Sequence, residues 1–191
     1  MLLARMITPI TTLGPGNRVG IWTQGCTKRC KGCMSGELQT FDQTKDIPVD
    51  LLISIIVSEA RRNKCRGITI SGGDPLEQSE QLYFLLKGLR SFFTDVLVYT
   101  GYTMDEINNS DSLKRCLQYM DVLVDGRYIE RENTGRSKIY GSNNQKIYFF
   151  NKKLVKDYRD YEGQECRLES FIHNDKVITV GIQKRDYTDE E

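Results

Sequence analysis

At 191 residues, with 39% hydrophobic and 28% charged side chains, the sequence is sized for one well-filled soluble core rather than two. Its net charge of +1 excludes a global pull toward nucleic acid or acidic lipid, and no apolar run approaches the ~20 residues of a membrane helix. Six cysteines with no expected secretory signal point to a cytoplasmic chain, whose thiols stay reduced and available to metal rather than paired in a disulfide framework.

Residues 1–16 are mixed in character and end in the turn-prone Gly14-Pro15-Gly16. Arg18–Thr23 reads as a short buried strand, broken by a polar, glycine-bearing loop over residues 24–36. In that loop Cys26, Cys30 and Cys33 form a Cys-x3-Cys-x2-Cys pattern, close enough to converge on one metal centre without help from distant chain. A structural zinc ion closes its tetrahedron with four ligands, and a [4Fe–4S] cube is usually held by four thiolates. His173 is the only histidine, and Cys65, Cys116 and Cys166 stand alone, far along the chain. Spacing therefore favours an iron–sulfur cube with one iron left open. Zinc completed by a distant residue stays as the alternative.

Beyond the loop, Pro48 suits the first position of a helix that turns Leu51, Leu52, Ile55, Ile56 and Ala60 inward and ends near Arg61-Arg62. Residues 67–71 form a second apolar strand, stopped by Gly72-Gly73 and Pro75. A helix over 79–92 follows, with Leu82, Leu85, Leu86, Leu89 and Phe92 on its inner face. Asp95–Tyr99 is the third strand, ending at Thr100-Gly101. Short helical stretches around 104–107 and 113–120 lead to a fourth strand at 122–124, ending at Asp125-Gly126. Strands alternating with helices in this rhythm predict βα units and a parallel sheet, with ligands bound beyond the strands' C-terminal ends.

Residues 147–150 read as a further strand. Between Arg136 and Lys156 lie six Lys or Arg and no acid, interleaved with Tyr140, Tyr148, Phe149 and Phe150. That pattern fits a solvated face beside core aromatics, a docking surface for an acidic protein, or nucleic-acid contact. Residues 165–183 read as a hairpin turning at Asn174-Asp175, followed by an acidic tail over 186–191.

The cysteine pattern resembles the cluster signature of the radical S-adenosylmethionine (SAM) superfamily. Its context is similar to the activating enzymes of anaerobic ribonucleotide reductase, which are glycyl radical enzyme activases. Six blocks carry this in order: Gly14-Pro15-Gly16 with Arg18, Gln24-Gly25-Cys26, residues 72–76, Tyr99-Thr100-Gly101-Tyr102, residues 121–126, and residues 141–145. The resemblance implies an α/β fold, a partial (incomplete) parallel βα barrel of the radical SAM type with a C-terminal β-hairpin extension. It would form a single domain, with its core over about 14–150 and an accessory segment over about 151–191.

By the same resemblance Cys26, Cys30 and Cys33 hold a [4Fe–4S] cluster whose open iron chelates SAM. Gly72, Gly73, Asp74 and Pro75 would hold its methionyl ammonium, and Thr100 would meet its ribose or carboxylate. Asp125 would order the site, Met34 would lend its backbone to adenine, and Asn144 with Asn143 and Gln145 would serve the pocket or a partner. Lys28, Arg29 and Lys31 would raise the cluster's potential and receive an acidic, flavodoxin-like electron donor. The implied reaction is reductive cleavage of SAM that installs a glycyl radical on a partner enzyme, an anaerobic ribonucleotide reductase. The alternatives are a radical SAM enzyme acting on a peptide or small molecule, and a non-enzymatic zinc-binding module. Thr27-Lys28-Arg29 departs from the family in lacking the histidine that many reductase activases carry between the first two cysteines.

Overall fold

The computed structural model describes residues 1–165, 167–173 and 176–182. The expected turn at Asn174-Asp175, Cys166 and the acidic tail lie outside them.

Six strands pair in chain order in one sheet. β2 (Arg18–Thr23), β3 (Gly67–Gly72), β4 (Asp95–Tyr99) and β5 (Val122–Asp125) run parallel. β1 (Leu3–Ile10) and β6 (Lys146–Phe149) flank them antiparallel at the two edges. The parallel strands are covered on both faces, which is why they read as near-continuous apolar runs. Alternate side chains (Val19 and Ile21, Ile68 and Ile70, Val96 and Val98, Leu123) meet α1 (Val49–Arg62) and α2 (Ser79–Leu89). Two short helices, α3 (Met104–Asn108) and α4 (Asp111–Lys114), follow β4. No helix among the described residues is long and apolar enough to cross a membrane.

Helix faces follow the 3.6-residue period with two corrections. α1 buries Leu52, Ile56, Val57 and Ala60, each worth up to about 1.5–3 kcal/mol of transfer free energy for the larger side chains. Leu51, expected inside, is 52% exposed, because one residue's step rotates it about 100° away from Leu52. α2 stops at Leu89, so Phe92 leaves the inner face and lies half-exposed under the Arg61 guanidinium, 5.6 Å from the ring centroid.

The other face of the sheet is covered by two elements. The hairpin of β7 (Glu169–His173) and β8 (Lys176–Val180) packs Phe171, Ile178 and Val180 against Ile7, Ile10 and Trp22. The Glu169 carboxylate fastens it by accepting from the Thr11 amide and the Thr11 and Thr12 hydroxyls. α5 (Val155–Glu162) packs Tyr158 and Tyr161 against Leu97, Val122 and Val124.

The N-terminal end of the parallel strands is closed by a saturated polar network. Arg18 is fully buried, and donates to Thr69 Oγ1 at 2.6 Å, the Ile68 carbonyl at 2.8 Å, the Pro15 carbonyl at 3.1 Å and the Asp95 carboxylate. The Tyr158 hydroxyl donates to Asp95 Oδ1 at 2.9 Å, tying α5 to the sheet. A buried pair with this many partners is stable as a unit and costly to halve.

Candidate functional site

At the opposite, C-terminal end, loops leaving β2, β3, β4 and β5 converge with the 141–145 loop around a cleft of about 140 Å³. A second crevice of about 110 Å³ shares Met34, Ser35, Ser71, Tyr99 and Ile182 with it. Neither encloses a whole nucleotide, so a ligand of that size would use both and the open mouth.

Cys26, Cys30 and Cys33 all line the cleft as free thiols, Cys26 buried and the other two half-buried. The loop is held in place by its backbone: Gly25 N–H donates to the Leu38 carbonyl at 2.8 Å and Cys26 N–H to the Gln39 carbonyl at 2.9 Å. Burial pushes the Cys26 and Cys30 thiols up, while backbone N–H groups of Lys28 and Tyr128 directed at the two sulfurs pull them down. Such N–H donors favour thiolates, the form that binds iron.

The donor set fits a cube better than a single ion. Among the described residues, no three His, Cys, Asp or Glu side chains converge as one ion requires. A cube instead meets each thiolate at its own iron. Cys65 and Cys116 are no help to the cleft, since both are buried on the helix face, against Thr8 Oγ1 and the Ser79 carbonyl.

Gly72 and Gly73 let the β3 loop lie directly on the cysteine loop. Gly72 has φ +122°, and a Cβ on either glycine would sit 2.2 Å from backbone of Thr23 or Gly25. In their place run the bonds Gly73 N–H to Thr23 carbonyl, 2.8 Å, and Asp74 N–H to Gly25 carbonyl, 2.9 Å. Asp74 is 1% exposed and its carboxylate accepts from the Thr100 hydroxyl, the Gly101 amide and the Leu76 amide at 2.8–3.0 Å. Burial pushes its carboxyl up to about 6 against those three donors.

The cleft thus brings together Cys26, Cys30, Cys33, Met34, Gly72, Gly73, Asp74 and Thr100. Pro75, Asp125 and Asn144 stand behind it. Pro75 is buried and opens the turn Pro75–Gln78. Asp125 accepts from the Met104 amide at 2.7 Å and the Lys146 amide at 3.2 Å, so it fastens α3 and β6. Asn144 donates to the Arg127 carbonyl at 2.7 Å, and its Oδ1 is buried without a partner.

Two further contributors were not singled out from the chain. Tyr128 and Ile182 line the cleft, from a segment and a hairpin without a motif of their own. Gln145 fixes its far wall by donating to the Gly126 carbonyl and accepting from the Gly141 amide, both at 2.9 Å. Lys28 is not free for an incoming donor protein. Its ammonium lies 3.1 Å from Glu77 Oε1 and 3.3 Å above the Tyr102 ring centroid, while the same Glu77 oxygen accepts from Thr27. The acid at Glu77, just beyond Pro75, was the available signal.

A family model described as a 4Fe-4S single cluster domain matches residues 12–148. The chain is 34% identical over 150 residues to the anaerobic ribonucleoside-triphosphate reductase-activating protein of Vibrio cholerae serotype O1, covering 72% of this chain and 90% of that one. It belongs to this activating-protein family. The activating protein of Enterobacteria phage T4 is 31% identical over 148 residues, covering 71% and 85% of the two chains. That of Haemophilus influenzae is 33% identical over 143 residues, covering 72% and 90%. The stretch matched by the 4Fe-4S family holds every cleft-lining residue except Ile182. An iron–sulfur cluster is the metal centre that the family and the three thiols share.

Proposed function

We propose that the chain is a radical SAM activase that installs a glycyl radical on an anaerobic ribonucleoside-triphosphate reductase. The observation that carries the reading is the cleft itself: three free thiols, no fourth thiol lining it among the described residues, and a buried carboxylate on the loop packed against them. When bound, the cluster would supply one electron to the SAM sulfonium, breaking a C–S bond to release methionine and a 5′-deoxyadenosyl radical that takes hydrogen from a glycine Cα.

The chain's own residues bind, orient and shield. Cys26, Cys30 and Cys33 would hold the cluster, each through one iron. Asp74 has one lone pair on Oδ2 left after its three internal bonds, enough to accept from the methionyl ammonium beside the Gly72 and Gly73 carbonyls. Thr100 spends its hydroxyl on Asp74 and on the Tyr102 amide, so its service is to fix that carboxylate, with backbone left to meet the ligand. Met34 and Ile182 supply apolar walls against solvent. Pro75 and Asp125 hold the loops in place, and Asn144 fixes the 141–145 loop from behind the cleft by donating to the Arg127 carbonyl. We read the six-stranded sheet as the incomplete βα barrel of the superfamily, in one domain working in a reducing cytosol. Arg29, exposed on the cysteine loop, is the cation there left to meet a flavodoxin-like donor, with Lys31 exposed beside it and 3.9 Å from Glu130.

The test is anaerobic reconstitution with iron and sulfide, then reductant-dependent release of 5′-deoxyadenosine and methionine from SAM and a glycyl radical signal in the added reductase. Zinc without sulfide in the anaerobically purified chain would end the reading. Release stimulated by a small molecule or peptide, with no radical on any reductase, would redirect it to the other radical SAM class.

A further inference from the structure

A groove of about 610 Å³ runs along the free edge of the sheet, outside the cleft and much larger than it. Its floor is apolar: Ile139, Ile147, Phe149, Val155 and the ring of Tyr158. β6 is the last strand of the sheet, so one of its edges has no neighbour among the described residues. The ladder's alternation says which groups face outward. The Thr100 amide takes the Val124 carbonyl, so Val124 faces β4, and Leu123 and Asp125 face their partners Tyr148 and Lys146 in β6. Ile147 and Phe149 therefore turn their N–H and C=O groups away from the sheet.

The rim is cationic. Arg136 and Arg159 line it, Lys152, Lys153 and Lys156 are exposed where the chain enters α5, and none of the five makes an ion pair among the described residues. α5 sorts its charges by helical period: Val155, Arg159 and Glu162 face the groove, whereas Asp157 and Asp160 face a different pocket. Glu162, the acid in the groove, is already committed, accepting from the Ser137 hydroxyl and the Lys138 amide. The groove and the cleft also share a wall. In the 139–147 stretch Gly141 and Gln145 line the cleft, while Tyr140, Asn143 and Ile147 line the groove.

We infer that this groove docks an extended, carboxylate-bearing segment of the reductase, which adds a strand to β6 and places its apolar side chains on the groove floor. The inference rests on the reductase-activating reading and adds a second contact, remote from the thiols. Backbone pairing along an open edge supplies affinity, alternate side-chain pockets supply register, and the unpaired cations select an acidic segment. An apolar floor with outward strand groups suits polypeptide better than a phosphate backbone.

The experiment compares wild type with the double variant Arg136→Glu/Arg159→Glu, both exposed positions outside the cleft. Binding of the anaerobically reconstituted chains to the cognate reductase is measured by interferometry at low and high salt. The variant is expected to bind about tenfold or more weakly at low salt, with a smaller gap at high salt. Its reductant-dependent SAM cleavage without reductase should be unchanged, as should its far-ultraviolet dichroism. A second variant, Val155→Asp, tests the floor and should weaken binding with little salt dependence. Equal affinity of wild type and both variants for the reductase overturns the groove assignment alone. Loss of single-stranded DNA binding with reductase binding intact also overturns it, in favour of nucleic acid. Failure of wild type to bind the reductase at all overturns the functional reading and this inference with it.

Discussion

At the N-terminal end of β2–β4, Arg18, Thr69, Asp95 and Tyr158 saturate one another's hydrogen bonds; at the C-terminal end of the same strands, the cysteines and Asp74 keep bonding capacity in reserve. Both ends bury charge. The first closes on itself, with a carboxylate, a guanidinium and a phenol in one dry network. The second meets a cleft, and burial raises the proton affinity of its carboxylate against the neutral donors that hold it. The contrast teaches that burial by itself does not mark a site. What marks it is burial with unspent lone pairs or thiols facing open space.

The largest effect that would break this contrast is at the cleft. Cys30→Ala should lower iron and sulfide content sharply and bring SAM cleavage to background, whereas Cys65→Ala, on the helix face, should leave both intact. Elemental analysis and product chromatography check the pair; full iron in the Cys30 variant would show that the three thiols are not the ligands. Next comes the closed end. Arg18→Met leaves Asp95 buried without its cation and should cost about 3–5 kcal/mol in urea unfolding. Adding Asp95→Leu should return part of that loss, because the pair is costly to halve and far less so to replace whole.

The sheet was readable from the chain wherever two-faced burial made strands continuous: β2, β3 and β4 fall where their apolar runs and glycine stops put them. β1 was not, because an edge strand with two register shifts and a proline keeps no clean alternation. α5 escaped for another reason. Only Tyr158 and Tyr161 of its eight residues are buried, too sparse a stripe to declare a helix among Lys, Arg and Asp. The site divided in the same way. Residues whose backbone or thiol does the work, such as Cys26 and Gly72, are visible as spacing and turn chemistry. Tyr128 and Ile182 reach the cleft only by tertiary folding, so no local pattern announces them.

A smaller effect sharpens the comparison through pH. The Asp74 carboxyl is raised to about 6 from an ordinary 3.8 by burial, so the folded chain holds a proton there that the unfolded chain has lost. The associated stability is fully present below about pH 4 and is lost as pH rises through about 6, an effect of about 3 kcal/mol. Urea midpoints of the metal-free chain between pH 4 and 7 should carry this fall, and Asp74→Asn should flatten it. An unchanged slope in the variant would place the titration elsewhere.

The smallest effect asks whether α5 is an appendage or part of the closed end. Tyr158→Phe removes one hydroxyl and leaves every apolar contact of the ring. Asp95 keeps Arg18 but loses the donor at 2.9 Å on Oδ1, at a residue only 7% exposed. A buried acceptor so deprived costs about 1–2 kcal/mol. Iron content and SAM cleavage should not move, since Tyr158 lies at the far end of the strands from the thiols. If the urea midpoint also stayed put, the hydrogen bond would carry no net weight and α5 would rest on packing alone. A loss of the expected size with the cluster untouched would separate the two ends of the sheet as a structural closure and a chemical opening.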